Sequence, residues 1–173
     1  MDIVVANYGI DNIGILLGSG NGNFHNMTTY STGTNSGPYS VAIADFNKDN
    51  QSDIVVTNSE SNTISIFLGF GNGTFVLTSI YSTGDRSNPY TIVINDMNND
   101  QQFDLIITNA GTSNILILYG YGNGTFGNEI SYPLGYQYLP YSLAVNDLNK
   151  DGWMDMIIAC YQTNHLETLV KMC

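Results

Sequence analysis

Apolar residues along this chain come in short runs broken by polar turns, and no window has helical apolar spacing with caps at its ends. Ser40-Val41-Ala42-Ile43-Ala44 alternates large and small apolar residues before running into an acidic loop. Ile54-Val55-Val56-Thr57 is a continuous β-branched run, the pattern of a strand buried on both faces. Thr63-Ile64-Ser65-Ile66-Phe67-Leu68 alternates and stops at a Gly-Asn-Gly turn, and Phe75 to Tyr81 forms a fourth run closed by Ser-Thr-Gly. Four short strands are expected between residues 40 and 81.

The same pattern returns every 51 residues. Asp2, Asp53, Asp104 and Asp155 begin DIVVAN, DIVVTN, DLIITN and DMIIAC. The same interval separates Phe24, Phe75 and Phe126, and the Pro-Tyr pairs beginning at Pro38, Pro89 and Pro140. A repeat of this length with four strands predicts an all-β fold, a β-propeller whose blades are four-stranded antiparallel sheets. A parallel β-helix needs much shorter rungs, and a sandwich has no reason to keep a fixed period. The repeat units are 2–52, 53–103 and 104–154, with a partial repeat at 155–173. With strands lettered A to D within a repeat, this makes about three and a half blades, short of the typical closed ring of about four to eight. The expectation is therefore a partial ring, part of a larger propeller, or a half-ring that associates with another chain through its open blade edges.

Composition agrees with strands and turns. Hydrophobic residues make up 43% of the chain and charged residues only 11%, while Asn, Ser, Thr, Gly and Tyr supply the polar surface. Fifteen acids against four bases give a net charge of −11. Nine of those acids lie in three loops, which points to cation binding and argues against nucleic acid as a partner. No stretch of about 18 apolar residues predicts a membrane span, and MDIVVANYG does not read as a signal peptide. Cys160 and Cys173 both fall near the end, too late to form a framework for the fold.

The three acidic loops are DFNKDNQSD, DMNNDQQFD and DLNKDGWMD. Positions 1, 3, 5 and 9 are Asp, Asn, Asp and Asp in each: Asp45, Asn47, Asp49 and Asp53; Asp96, Asn98, Asp100 and Asp104; Asp147, Asn149, Asp151 and Asp155. Oxygen donors without His or Cys select a hard cation, and a flexible loop suits Ca²⁺ better than Mg²⁺. Position 7 varies (Gln51, Gln102, Trp153), as expected if only its backbone carbonyl binds. Up to three structural Ca²⁺ sites are expected. An EF-hand is excluded because Val56, Ile107 and Ile158 stand where its bidentate Glu belongs and strands flank the loop. Position 6 favours Gly, so Gly152 should make the third loop the tightest and Gln101 the second the weakest.

Taken together, Pro-Tyr-Ser-Val-Ala-Ile-Ala-Asp-Phe-Asn-Lys-Asp, Asp-Ile-Val-Val-Thr-Asn and Leu-Gly-Phe-Gly-Asn-Gly-Thr-Phe resemble the FG-GAP/VCBS-type repeat. That resemblance covers nearly the whole chain. It implies a calcium-binding propeller of the kind found in integrin α-chain heads, with calcium ligands at the loop positions just named. It also implies an extracellular or cell-surface location. The triplets at Asn26, Asn50, Asn72 and Asn123 are compatible with glycosylation there, although Asn50 lies within a metal loop. There is no literal Gly-Ala-Pro element, so an integrin role does not follow, and the repeat decays after Ala159.

A protein or glycan ligand is expected on the face opposite the acidic loops. The D–A connections there diverge: TNSG (34–37), DRSN (85–88) and YQYL (136–139). Arg86, Tyr136 and Tyr138 are the candidate partner-binding residues, whereas Tyr39, Tyr90 and Tyr141 recur with the repeat and read as blade packing. His25 and His165 occupy non-equivalent repeat positions with no nucleophile motif, so no enzyme is expected. A calcium-stabilised adhesion or recognition module leads. A lectin-like propeller and a non-catalytic module of a larger secreted enzyme are the alternatives.

Overall fold

The computed structural model describes residues 1–135, 138–161 and 165–169. Among them the strands are β1 (Ile3–Asn7), β2 (Asn12–Leu16), β3 (Thr28–Ser31), β4 (Pro38–Ala44), β5 (Asp53–Asn58), β6 (Thr63–Gly69), β7 (Phe75–Ser82), β8 (Pro89–Asn95), β9 (Asp104–Asn109), β10 (Asn114–Gly120), β11 (Phe126–Pro133), β12 (Pro140–Asn146), β13 (Asp155–Cys160) and β14 (His165–Leu169). A single 3₁₀ turn, Tyr8–Ile10, is the helical element among the described residues. The strands form antiparallel sheets in the orders β1-β2-β3, β4-β5-β6-β7, β8-β9-β10-β11 and β12-β13-β14. Two full blades thus stand between two three-stranded ones. The predicted all-β propeller architecture is observed.

Each blade is a sandwich filling between its neighbours, which explains the continuous apolar run of the second strand. β5 and β9 are buried at every residue, because alternate side chains pack into opposite junctions. Ile54 and Val56 join Ile13, Ile15 and Phe67 against the first blade. Val55, with Ile64 and Ile66, joins Ile92, Leu105, Ile107 and Leu116 against the third. One residue further round, Ile106, Ile115 and Ile117 meet Leu143, Met156 and Ile158 of the fourth. The same repeat positions therefore face forward or backward at every junction.

Polar groups also stitch the blades together. The Thr57 hydroxyl donates to the carbonyl of Tyr90 at 2.8 Å, and that of Thr91 to the carbonyl of Tyr141 at 2.6 Å. The Phe75 and Phe126 amides donate to the hydroxyls of Tyr30 and Tyr81 in the preceding blades, at 3.3 and 3.1 Å.

Two departures from the pattern are local. In the first blade β3 begins at Thr28, whereas β7 and β11 begin at Phe75 and Phe126; Phe24 makes only an isolated bridge to Gly18. Ile43 is 50% exposed although its counterparts Ile94 and Val145 pack into cores. The reason is that the first sheet has β1 at its inner edge, with no inner strand opposite Ile43.

Junction packing predicts a sharp contrast between two isoleucines. Ile107→Ala should destabilise the chain by about 2–5 kcal/mol in urea unfolding, because Ile107 is fully buried. Ile80→Ala, at a site 53% exposed, should change stability by less than about 0.5 kcal/mol. Similar losses for both would refute junction packing as the source of stability.

Candidate metal centre and partner face

The three acidic loops connect the first and second strands of their blades and share one hydrogen-bond scheme. In the first, Asp45 accepts the amides of Asp49 (3.1 Å) and Asn50 (2.8 Å) on its two carboxylate oxygens. Asn47 Oδ1 accepts the Asp49 amide at 3.2 Å, and Asp49 Oδ1 accepts that of Gln51 at 2.8 Å. Asp96 and Asp147 repeat the first pair of bonds with Asp100 and Gln101, and with Asp151 and Gly152. Asn98 and Asn149 accept from Asp100 and Asp151, which accept from Gln102 and Trp153. Short acidic and amide side chains bonding to amides two to five residues on are what fold these loops locally.

Position 9 has a different task. Asp53 and Asp104 are fully buried, as is Asp155. Asp53 Oδ2 accepts the Phe46 amide at 2.8 Å and Oδ1 that of Gly69 at 2.9 Å. Asp104 does the same with Met97 and Gly120, and Asp155 Oδ2 accepts the Leu148 amide at 2.9 Å. Asp53 and Asp104 each tie the start of their own loop to the end of their blade's third strand. Gly69 is required at that closure, since a Cβ there would collide with the Ser52 carbonyl.

The positive-φ demand at position 6 is present in all three loops, at Asn50 (63°), Gln101 (63°) and Gly152 (87°). Sequence reasoning missed a second such residue at position 4: Lys48 (62°), Asn99 (61°) and Lys150 (63°). It also missed what the Gln side chains do. A Cβ on Gly71 or Gly122 would collide with Oε1 of Gln51 or Gln102, so these side chains lie against the Gly-Asn-Gly turns of their own blades.

The oxygen-only donors of each loop fit a hard cation in type. Among the described residues, however, no three or more Asp, Glu, His or Cys side chains converge as a ready-made ligand cluster. The loop carboxylates point at amides, and Asn47, Asn98 and Asn149 donate from Nδ2 to Oδ2 of Asp49, Asp100 and Asp151, each at 2.9 Å.

An FG-GAP-like repeat model matches residues 1–56, 45–107 and 96–158. The chain belongs to the FG-GAP-like repeat family. Two of the matched repeats open on the first aspartate of an acidic loop, Asp45 or Asp96, and run into the strand after the next loop. No curated protein matches the chain. Among solved structures, a protein from Lactobacillus plantarum is similar in fold, with a TM-score of 0.63 at 14% identity; the match covers 98% of this chain and 53% of that one. This FG-GAP-like chain thus spans about half the length of that protein.

On the opposite face, the FG-GAP-like blades line up a tyrosine row. Ring centroids of Tyr8 and Tyr39 are 6.4 Å apart, Tyr39 and Tyr90 4.4 Å, Tyr90 and Tyr141 4.5 Å, and Tyr141 and Tyr161 5.4 Å. The row combines blade packing with exposure: Tyr8, Tyr39, Tyr141 and Tyr161 all reach solvent. Hydrogen bonding to Tyr141, aided by burial, pushes the Tyr90 hydroxyl up to about 12. Tyr8 donates to Glu60 at 2.7 Å, which raises its own value. The sequence signal for the ends of the row was available, because Tyr8 and Tyr161 occupy the same repeat position.

The D–A loops hold Arg86 exposed at a φ of 57°. Tyr138 is half-buried and packs with the cluster around Leu143 and Ile158, while Tyr136 lies outside the described residues. Part of the loop divergence is structural. Thr32 bonds Ser36 and Thr83 bonds Ser87, both at 2.7 Å and buried. The equivalent pair in the third loop, Leu134 and Tyr138, joins an apolar cluster instead. These loops are pinned from the B–C turns: Asp11 accepts the amides of Asn35, Ser36 and Gly37, and those bonds hold its carboxyl below its ordinary value.

Burial pushes the Asp53 and Asp104 carboxyls up, against the opposing pull of their backbone donors and with help from the neighbouring loop acids. The folded chain therefore binds these protons more tightly than the unfolded chain. Without divalent cations, stability should fall as pH rises through the interval just above the ordinary carboxylate value. Asp53→Asn with Asp104→Asn should flatten that dependence in melting scans. Each substitution should also cost about 1–3 kcal/mol by setting an amide group against a backbone donor. An unchanged pH slope would refute the assignment.

Proposed function

We propose that this FG-GAP-like chain is a non-catalytic, extracellular or cell-surface recognition module whose blades are stabilised by Ca²⁺ in the acidic loops. The observation that carries the reading is the threefold recurrence of one oxygen-rich turn, with the same hydrogen-bonded atoms and left-handed backbone at the same two loop positions each time. Asp45, Asn47, Asp49, the Gln51 carbonyl and Asp53 would supply the first site. Their counterparts at Asp96, Asn98, Asp100, Gln102 and Asp104, and at Asp147, Asn149, Asp151, Trp153 and Asp155, would supply the others. The bound ion would supply charge neutralisation in loops rich in carboxylates. The loops' own amides hold the acids in register, and Asn47 would offer a cation its Oδ1, the atom that accepts the Asp49 amide. Millimolar calcium outside cells would fill sites of modest affinity.

Recognition would fall to the face opposite the acidic loops, where Arg86 and the tyrosine row stand. A carbohydrate ligand is the second reading, favoured by that row: exposed ring edges and hydroxyls suit the mixed apolar and hydroxyl character of sugars.

Calorimetric titration of chelator-treated protein with CaCl₂ should show up to three sites and a raised melting temperature. MgCl₂ should have a much smaller effect. Asp151→Asn should remove the tightest site and Asp100→Asn the weakest, and absence of calcium binding would sink the reading. On a glycan array, the native chain should retain a sugar that Tyr141→Ala loses. Equal retention would dismiss the carbohydrate reading.

A further inference from the structure

Between the two four-stranded blades, a cleft of about 410 Å³ opens where the connection from β7 to β8 meets β10 and β11. Asp85 lines it from the connection and Glu129 from β11, with Thr112 and Ser131 beside them and Leu116 and Pro133 as apolar wall. Arg86 does not line it. Asp85 and Glu129 are exposed and form no hydrogen bond or ion pair among the described residues. The cleft shares no residue with the acidic loops or the tyrosine row, and both of its walls belong to four-stranded blades inside the array.

The two carboxylates are private to this cleft. One repeat earlier their positions hold Thr34 and Thr78, so the preceding junction carries no charge there. Glu129 follows Asn128, whose φ is 49°, in the stretch where the pairing of β10 with β11 shifts between Ile117 and Tyr119. Bulges of this kind re-aim side chains. At the base of the cleft, Asn109 is fully buried. Its Nδ2 donates to the carbonyl of Thr83 at 3.2 Å and its backbone pairs with Asn114, and both of those residues line the cleft. Its Oδ1 has no partner among the described residues. The two carboxylates and the buried amide oxygen are all acceptors, and two of the three groups are negatively charged.

We infer that this cleft binds a protonated alkyl amine with the dimensions of a lysine side chain. The ammonium group donates to Asp85 and Glu129, and the methylene stem lies along Leu116 and Pro133. Asn109 Oδ1 is the third acceptor, at the base of the site. An anion would be repelled by both acids, and a neutral polyol would leave them without a counter-charge. A lysine of a partner protein and a free alkyl amine share this chemistry.

The isotope-labelled chain is titrated with Nα-acetyl-lysine-N-methylamide and followed by amide chemical shifts, once in CaCl₂ and once in chelator. Saturable shifts are expected at Gly84, Asp85, Asn114 and Ser131 in both buffers. The acidic loops take no part, so failure of the calcium reading leaves this outcome unchanged. The norleucine counterpart, which lacks the charge, should give no saturable shift. Asp85→Asn and Glu129→Gln change exposed residues, so each should keep the native spectrum away from the cleft while weakening binding at least tenfold. Butylamine that binds as tightly as the lysine derivative assigns the site to free amines, and butylamine tenfold weaker assigns it to a lysine of a protein. Absence of saturable shifts at the cleft overturns the inference, as do shifts spread over the three acidic loops instead. Saturable binding of the norleucine derivative, or variants that bind like the native chain, also overturns it.

Discussion

A buried carboxylate with two backbone donors holds each of the two four-stranded blades together. Asp53 joins the Phe46 amide to the Gly69 amide, and thereby fixes the acidic loop, the second strand and the end of the third strand to one point. Asp104 repeats this closure with its own two donors, and Asp2 bonds the Gly18 amide in the first blade at 2.8 Å. A buried acid bears a desolvation cost, and here the donors offset part of it. The exposed turn ahead of it can then accumulate acids without unfolding, since its own amides satisfy them. The junction cores depend on the same closure, because it sets the register in which Ile54, Val55 and Val56 alternate between neighbours.

Much of the fold was legible because the repeat is nearly regular. The four-strand period, the doubly buried second strand and the placement of the acidic loops all follow from residues recurring at one interval. Other features were less visible for physical reasons. The second left-handed position at Lys48 and Lys150 gives no composition signal, since lysine is no turn former. The Gln51 and Gln102 side chains read as arbitrary until Gly71 and Gly122 were seen to make room for them. Tyr138 read as a partner-binding candidate because its loop differs from the others. That difference replaces a buried hydroxyl pair by an apolar contact.

The tyrosine row illustrates how one periodic signal can carry two roles. Tyr39, Tyr90 and Tyr141 do pack blade against blade, as their recurrence implies. Stacking them at the strand starts also leaves a line of ring edges facing solvent, bounded by Tyr8 and Tyr161. A residue that serves packing on one side and solvent on the other scores as core in a sequence, because periodicity reports position within the blade and not distance from the surface.

The three internal cores share positions but not shapes. One holds Phe67 and Phe75 around Tyr30, with ring centroids 6.3 and 6.0 Å from it. The next sets Phe46 edge-on to Phe126 at 5.4 Å. The third relies on Met97 and Met156. Near-identical repeats risk docking out of sequence during folding, as they would if the second blade met the fourth. Such a mispairing would set Phe46 against a core sized for methionine, and lose the edge-on aromatic contact without filling the space it leaves. The order of the blades is thus written in the unequal bulk of their seams, a lock-and-key code that keeps a repetitive polymer from miscounting itself.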